Sequence, residues 1–205
     1  MENLNLKIDS NDHEILSKKI AAKINELSAA YKRVCDFGFG NFMLIETIAS
    51  RNDDCLYLGI DKNKIAVEIA RKRITELGKN DFFSVELADV FNFSRGGFDC
   101  CICSRLFHHF SLNEAKNVFQ SMAKIVDMNG RLIIVDSIRD YNNRLDRNSY
   151  TPYFFVNEMS ALLGAKNIII LPVRDARLNF NQMWFLCIDI HTDKATFELH
   201  TLQEE

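Results

Sequence analysis

Val34-Cys35-Asp36-Phe37-Gly38-Phe39-Gly40 is the stretch of sequence that decides the fold. Two apolar residues lead into Asp36 and two glycines follow, which is the pattern of a short buried strand ending in a tight turn. Glycine lets the backbone approach a ligand closely and adopt dihedral angles that other residues avoid. A helix predicted over residues 41–50 would direct its free N–H groups at the same turn. We therefore interpret the turn as the floor of a nucleoside-cofactor site.

Apolar strands and amphipathic helices alternate on both sides of this turn. Nearly continuous apolar strands between helices are typical of a parallel sheet covered on both faces. A capping-box pattern at Ser111-Leu112-Asn113-Glu114 marks the start of one helix, and Gly78 marks the end of another. The predicted elements are an N-terminal helix through Tyr31, strands at 34–36, 55–60, 82–87, 98–103 and 131–136, and helices at 41–50 and 64–77 and after residue 111.

After residue 136 strands and helices no longer alternate regularly. A helix over 152–163 precedes strands at 167–171 and 183–190, and only a loop separates these two strands, so they are predicted to be antiparallel. The fold class is α/β, a doubly wound, mostly parallel sheet of seven strands with an antiparallel last strand and helices on both faces. We expect one domain, with 1–31 as N-terminal helix or lid, 32–136 as cofactor-binding half, 137–190 as substrate lid and C-terminal strands, and 191–205 as polar tail.

The composition narrows the classes of function. The chain has 205 residues, 47% of them apolar, and a net charge of −3 with lysines and arginines spread along it. A nucleic-acid partner is unlikely on this pattern, because such proteins usually carry a basic stripe. We expect no membrane span, since no run of about 18 apolar residues occurs, and no secretory signal. Six cysteines in a chain of this type favour a reducing, cytoplasmic location.

Cys100 and Cys103 have the spacing of a metal or redox pair. They fall within a predicted strand, however, and residues three apart on a strand point to opposite faces of the sheet. The sequence therefore predicts that the cysteines at 35, 100, 101 and 103 are buried core thiols and that there is no metal site. A metal or redox pair is the alternative.

Four of the predicted strands end in acids, at Asp36, Asp61, Asp89 and Asp136. In an open parallel sheet, ligands bind beyond these carboxyl ends. A carboxylate at the end of the second strand suits two ribose hydroxyls, and Asp61 stands there. A dinucleotide fingerprint would need a third glycine at position 43, where this chain has Met43. The carboxylate of Asp36 would repel a pyrophosphate but suits an ammonium and a sulfonium, which favours S-adenosylmethionine.

These residues resemble the motifs of class I S-adenosylmethionine-dependent methyltransferases, over roughly residues 30 to 190. The first motif of that family has a third glycine where this chain has Phe42. Gly59-Ile60-Asp61 is similar to the second motif and Ala88-Asp89-Val90 to the third, while 98–110 and 129–136 resemble the fourth strand with its loop and the fifth strand. The resemblance implies cofactor contacts from Asp36, Phe37, Gly38, Gly40, Asp61, Lys62, Asp89, Val90, Ser104 and Arg105.

The resemblance also implies transfer of a methyl group, by in-line displacement, to an oxygen or nitrogen of a small molecule. Holding the acceptor in line can lower the barrier by roughly 7–11 kcal/mol. A general base is needed only for an acceptor that carries a proton, and the candidates are His108, His109 and Asp136. The alternative is that one histidine packs under the loop and that Asp136 has a structural role.

Segments outside the motifs are expected to recognise the substrate. Aromatic residues and arginines in 137–155 could hold a planar or acidic small molecule, or could form a lid with a solvated basic face. The alternatives to a small-molecule enzyme are an RNA or protein methyltransferase, a non-catalytic interaction subunit (suggested by Phe42) and a nicotinamide oxidoreductase. The oligomeric state is left open. The predicted substrate contacts are Tyr31, Phe107, Arg139, Tyr141, Tyr150 and Tyr153.

Overall fold

A computed structural model describes residues 10–51, 54–137, 150–164, 168–170, 183–191 and 194–202. Within these ranges the helices are α1 (Ser10–Ser28), α2 (Met43–Ala49), α3 (Lys64–Glu76), α4 (Leu112–Ile125) and α5 (Pro152–Leu163), with a short 3-10 turn at Phe107–His109. The strands are β1 (Arg33–Phe37), β2 (Leu56–Asp61), β3 (Phe83–Leu87), β4 (Phe98–Ser104), β5 (Val126–Ser137), β6 (Ile168–Ile170), β7 (Met183–Ile190) and β8 (Ala195–Thr201).

The strands form one sheet in the order β3-β2-β1-β4-β5-β7-β8-β6. Strands β1 to β5 are parallel, and β7 runs antiparallel to both of its neighbours. The prediction of a mostly parallel, doubly wound sheet with helices on both faces is confirmed. The carboxyl ends of β1 to β5 therefore meet at one edge of the sheet, and the four acids lie at or just after the ends of β1, β2, β3 and β5.

Strand β8 is the main departure from the prediction, which had residues 191–205 as a polar tail and seven strands in the sheet. Ala195 and Phe197 are buried, while Thr196 and Glu198, which alternate with them, are partly exposed. In an antiparallel strand with one buried face, buried and exposed residues alternate in this way. The hydropathy averaged over several neighbouring residues of such a strand is therefore low, and the segment resembles a polar tail. The predicted antiparallel pair also needs correction: β6 and β7 run in opposite directions, but β8 lies between them and pairs with both.

The sheet separates two apolar cores. Helices α1, α2 and α3 pack on one face and α4 and α5 on the other. Cys100 belongs to the first core and Cys103 to the second, so the prediction that these thiols face opposite ways is confirmed. None of the six cysteines forms a disulfide, and all six are buried. Burial raises the pKa of Cys100 and Cys103 well above the usual thiol value.

The residues predicted from the sequence to start α4 and to end α3 do so in the structure. Ser111 and Glu114 form a reciprocal capping box at the start of α4, and Gly78, with φ +64°, follows α3. At the start of α3, the Asn63 side chain accepts hydrogen bonds from two backbone N–H groups of the first turn. None of the described helices is both long and apolar enough to cross a bilayer.

A test of the fold comes from Gly130, at an irregularity where β5 begins to pair with β4. A Cβ there would lie 2.5 Å from Val126 Cγ1 and 2.7 Å from the Asp99 carbonyl oxygen, which cannot rotate away. We expect Gly130→Ala to lower the free energy of unfolding by about 3 kcal/mol, measured by urea denaturation. Gly96→Ala is the matched control, because its Cβ would meet nothing closer than 3.7 Å. Equal stability of the two variants would contradict the expectation that the close contacts at position 130 require glycine.

Candidate active site

The glycine turn after β1 is held in place by the end of β2. Gly38 and Gly40 have φ values of +67° and +56°, in the left-handed region that favours glycine. The Gly40 N–H donates to Asp61 Oδ2 at 3.0 Å, and the Asn63 N–H donates to Asp61 Oδ1 at 2.8 Å. Each carboxylate oxygen accepts more than one hydrogen bond, so Asp61 fixes the turn and keeps capacity for ligand hydroxyls.

The position of Phe42 explains why it can replace the third glycine of the motif. Phe42 is the residue before the first turn of α2, with φ −72° and ψ 10°. Any residue can adopt these angles, so the backbone at this point does not need glycine. The phenyl ring packs against the core shared by α1, α2 and α3. The departure from the motif therefore leaves the conformation of the turn intact.

Asp36 is buried at the end of β1, with 1% of its surface exposed. The Tyr57 hydroxyl donates to its Oδ2 at 2.6 Å, while Oδ1 meets no hydrogen-bond donor in the described part of the chain. Burial raises the pKa of Asp36 to about 7, against the opposing effect of the Tyr57 hydrogen bond and with a smaller rise from Asp61. One buried acceptor oxygen thus stays available beside the glycine turn.

Tyr57 is a site residue that the sequence analysis missed, and Gly59 was the signal that could have revealed it. A Cβ at Gly59 would lie 2.8 Å from Phe39 Cδ1 and 3.2 Å from Tyr57 Cε1. A glycine inside a strand often marks such a close approach. The missing side chain gives the Tyr57 ring the space in which its hydroxyl meets Asp36, the register neighbour of Gly59.

The turn after β3 contributes Asp89 and Val90. Asp89 is exposed and its Oδ1 accepts the Phe91 N–H at 3.1 Å, while Val90 is buried. The rings of Phe91 and Phe110 meet edge to face at 5.2 Å, which joins the loops after β3 and β4. Of the other predicted cofactor residues, Lys62 is exposed, and Phe37 is fully buried, so only the Phe37 backbone remains for a ligand.

His108 and Asp136 meet where β4 and β5 end. His108 Nδ1 lies 3.2 Å from Asp136 Oδ1; the Asp136 side chain is almost fully buried and that of His108 is 21% exposed. Asp36 and Asp136 stand on β1 and β5, the two strands that flank β4. After burial, these two acids are the further causes that raise the pKa of Cys103. The His109 ring lies farther out, exposed, with its centroid 4.1 Å from that of His108.

Ser104 ends β4, and Arg105 and Leu106 begin the loop that follows it. Leu106, which the sequence analysis missed, packs against the glycine turn, because a Cβ at Gly38 would lie 2.8 Å from Leu106 Cδ2. The Arg105 N–H donates to the Val135 carbonyl at 2.7 Å, and the guanidinium lies 3.4 Å from Ser17 Oγ on α1. Ser104 is half-buried at the end of β4. Helix α1 is therefore in contact with this end of the sheet.

The predicted substrate residues that the structure describes do not gather at this edge. Phe107 is fully buried, with its ring 4.7 Å from that of Phe155. Tyr150 is also buried, and its hydroxyl donates to the Phe110 carbonyl at 2.9 Å, which ties α5 to the loop after β4. Phe107 and Tyr150 are thus core residues beneath the site. Tyr153 is 67% exposed, and Arg139 and Tyr141 lie outside the described residues.

Tyr31 lies at the opposite edge of the sheet. Its hydroxyl is 3.5 Å from Asp189 Oδ1, and the Arg131 guanidinium lies 5.7 Å from its ring centroid. Arg131 stands at the amino end of the part of β5 that pairs with β4, and it holds Asp189 through two hydrogen bonds. Tyr31 therefore helps to close the amino end of the sheet, so we omit it from the site.

Comparison with known families agrees with this geometry. Residues 34–130 match a family model described as a methyltransferase domain. The match begins in β1 and includes the glycine turn, Asp61, Asp89 and the loop after β4. This match, over just under half of the chain, supports the predicted resemblance to class I S-adenosylmethionine-dependent methyltransferases. Comparison with the sequences of curated proteins gives no significant match.

Solved structures share the fold of this chain at low sequence identity. An O-methyltransferase family protein from Burkholderia thailandensis is 14% identical, with a TM-score of 0.67 over 89% of this chain and 57% of that one. The N-methyltransferase NodS from Bradyrhizobium japonicum WM9, in complex with S-adenosyl-L-homocysteine, is 15% identical, with a TM-score of 0.58 over 77% and 78%. The cyclase SpnF is 15% identical, with a TM-score of 0.60 over 70% and 56%. The chain thus spans little more than half the length of two of the three.

The residues of this site fit S-adenosylmethionine, the cofactor that the sequence motifs predicted. Asp36 Oδ1 accepts no hydrogen bond within the described residues and so suits the ammonium group, and the carboxylate of Asp61 suits the ribose hydroxyls. Gly38 and Gly40 leave the turn between these two acids without side chains. The acids also match the net positive charge of a sulfonium cofactor and would repel the pyrophosphate of a dinucleotide.

Proposed function

We propose that the protein transfers a methyl group from S-adenosylmethionine to an oxygen or nitrogen of a small molecule. The observation that carries the proposal is the pairing of His108 with the buried Asp136 at the edge of the sheet that holds the glycine turn. When bound, the cofactor supplies an activated methyl group on a sulfonium. The protein then has to hold an acceptor in line with that methyl group and to remove its proton.

Contacts to the cofactor follow from the positions of the acids. Asp61 would bind the ribose, and Asp36 the ammonium group. The turn after β3, with Asp89 and Val90, would meet the adenine together with the exposed Lys62. The backbone of Phe37, Gly38 and Gly40 and the end of β4 at Ser104 would line the remaining length of the cofactor.

His108 is the residue that we expect to act as general base. If Nδ1 carries the proton, it donates to Asp136 Oδ1 and leaves Nε2 free to accept a proton from the acceptor. The buried carboxylate then stabilises the imidazolium that forms. A base placed in this way contributes about 10²–10⁴-fold to the rate. His109 is exposed to solvent, so we expect it to contribute less.

Charge around the site supports a small acceptor. The strand ends present Asp36, Asp61, Asp89 and Asp136, and a polyanion such as RNA would be repelled by acids at this edge. The two methyltransferases among the compared structures are described as acting on oxygen and nitrogen. Because SpnF is a cyclase with the same fold, the reaction itself needs a direct test.

The test is transfer of label from S-adenosyl-[methyl-³H]methionine to phenols, catechols, aromatic acids and amines. We expect His108→Ala to lower kcat by about 10²–10³-fold and to remove the rise of kcat with pH, with the affinity for S-adenosylhomocysteine unchanged. His109→Ala should change kcat by less than about tenfold.

Three outcomes would contradict the proposal. Label that enters only RNA or protein would show a different acceptor class. Unchanged kcat in His108→Ala would exclude the base. Failure of the wild-type protein to bind S-adenosylhomocysteine would favour a non-catalytic subunit.

A further inference from the structure

Arg105, the first residue after β4, has an unusual backbone conformation. Its φ is +54°, in the left-handed region that L-residues other than glycine rarely adopt. Such strain persists where the surrounding structure imposes it and is concentrated at functional sites. In a regular strand Arg105 would share a face with Cys103, on the side of α4 and α5. The left-handed turn instead brings its guanidinium to Ser17 on α1, on the other face.

The guanidinium of Arg105 is half-buried and has no carboxylate partner in the described ranges. The contact with Ser17 Oγ, at 3.4 Å, is at the long limit of a hydrogen bond and uses one of five N–H donors. Other cations near this edge differ: Arg95 pairs with Glu86 at 2.6 Å, and Lys62 is exposed. A partly desolvated cation without a counter-ion is unfavourable, so a ligand that brings an anion would be bound strongly here.

The backbone of Arg105 lies between residues of the site. Ser104 precedes it at the end of β4, Leu106 packs on the glycine turn, and His108 follows three residues later. We propose that Arg105 is the receptor for a carboxylate group of a ligand bound in this site. The inference rests on the proposed function. The carboxylate belongs either to the methionine part of the cofactor or to the acceptor, and a guanidinium can bind it through two parallel hydrogen bonds.

Calorimetry with Arg105→Gln distinguishes the two sources. If Arg105 binds the cofactor, the variant should bind S-adenosylhomocysteine about 10- to 100-fold more weakly, while the decarboxylated analogue binds wild type and variant equally. If Arg105 binds the acceptor, S-adenosylhomocysteine should bind both proteins equally. Salicylate, 4-hydroxybenzoate or succinate should then bind the S-adenosylhomocysteine complex of the wild type and not that of the variant. The inference would be overturned if both proteins bound every probe equally. It would also be overturned if the cofactor affinity were unchanged and neither protein bound any of the three acids.

Two further variants separate ligand binding from anchoring of α1. Ser17→Ala removes the contact with α1 and keeps the cation, so ligand affinity should stay within about twofold of wild type. Arg105→Gly relieves the left-handed strain, so its Tm should equal or exceed that of wild type although carboxylate binding is lost. If Ser17→Ala reproduces the Arg105→Gln result, Arg105 only anchors the helix and the inference is wrong. Failure of wild type to bind S-adenosylhomocysteine would instead reject the proposed function.

Discussion

Replacing Asp61 by alanine is expected to weaken the binding of S-adenosylhomocysteine by about 10²–10⁴-fold. Two hydrogen bonds from ribose hydroxyls to this carboxylate would be lost, each contributing roughly 1.5–3 kcal/mol. The same substitution removes the acceptor for the Gly40 N–H, at 3.0 Å, and for the Asn63 N–H, at 2.8 Å. The glycine turn then loses its connection to the end of β2. Isothermal titration calorimetry measures the affinity directly.

Two variants control for indirect effects of the Asp61 substitution. Glu68 is an exposed acid on α3 whose nearest cation, Lys64, lies 3.8 Å away, so Glu68→Ala should leave affinity unchanged. Asp61→Asn keeps one acceptor oxygen and should show an intermediate loss. An affinity of Asp61→Ala within threefold of wild type would show that the ribose binds elsewhere.

Asp36→Asn is expected to stabilise the ligand-free protein while it weakens cofactor binding. The folded-state pKa of about 7 lies above the ordinary value of 3.8 because the carboxyl group is buried. The folded protein therefore holds a proton that the unfolded chain releases between these values, and stability falls as the pH rises from about 4 to about 7. Asparagine cannot ionise, so Asp36→Asn should be more stable than wild type by about 2–4 kcal/mol at pH 8, with little difference at pH 4.

Cofactor binding should favour the ionised form of Asp36, whereas folding favours its protonated form. An ammonium group is attracted by the ionised form of Asp36, so wild-type affinity for S-adenosylhomocysteine should rise by up to about tenfold for each pH unit below the pKa of this group. The affinity of Asp36→Asn should be weaker and flat between pH 6 and pH 8. Urea denaturation at pH 4 and pH 8, with calorimetry across pH 6–8, tests both parts. The same pH slope in the two proteins would contradict a role for Asp36 in ammonium binding.

The parts of the site that could be predicted from the sequence are those set by local rules. Asp36, Asp61 and Asp136 end parallel strands, and chain order alone brings such ends to one edge. The capping box of α4 and the glycine stop of α3 are likewise signals contained within a few residues. The pairing of His108 with Asp136 could be proposed only as a pair of candidates, because its 3.2 Å distance depends on how the loop after β4 folds.

The parts that could not be predicted depend on packing between distant residues. Tyr57 looks like one more apolar strand residue until Gly59 and Asp36 are seen beside it. Phe107 and Tyr150 are aromatic residues near the site in sequence, but aromatic rings serve a core as readily as a pocket. Tyr31 precedes β1 and so lies at the amino end of the sheet. That error was avoidable from topology alone.

The placement of β8 has a consequence for the order in which the protein can be completed during synthesis. Strand β6, Ile168–Ile170, is made before β8 but pairs only with β8 among the described strands. At ribosomal rates, Ala195 follows Ile170 by roughly one to five seconds. During that interval three consecutive isoleucines have no strand partner, and an unpaired apolar edge favours association between chains. A chain that includes β6 but lacks β8 is therefore expected to aggregate more readily than one in which β8 has paired with β6.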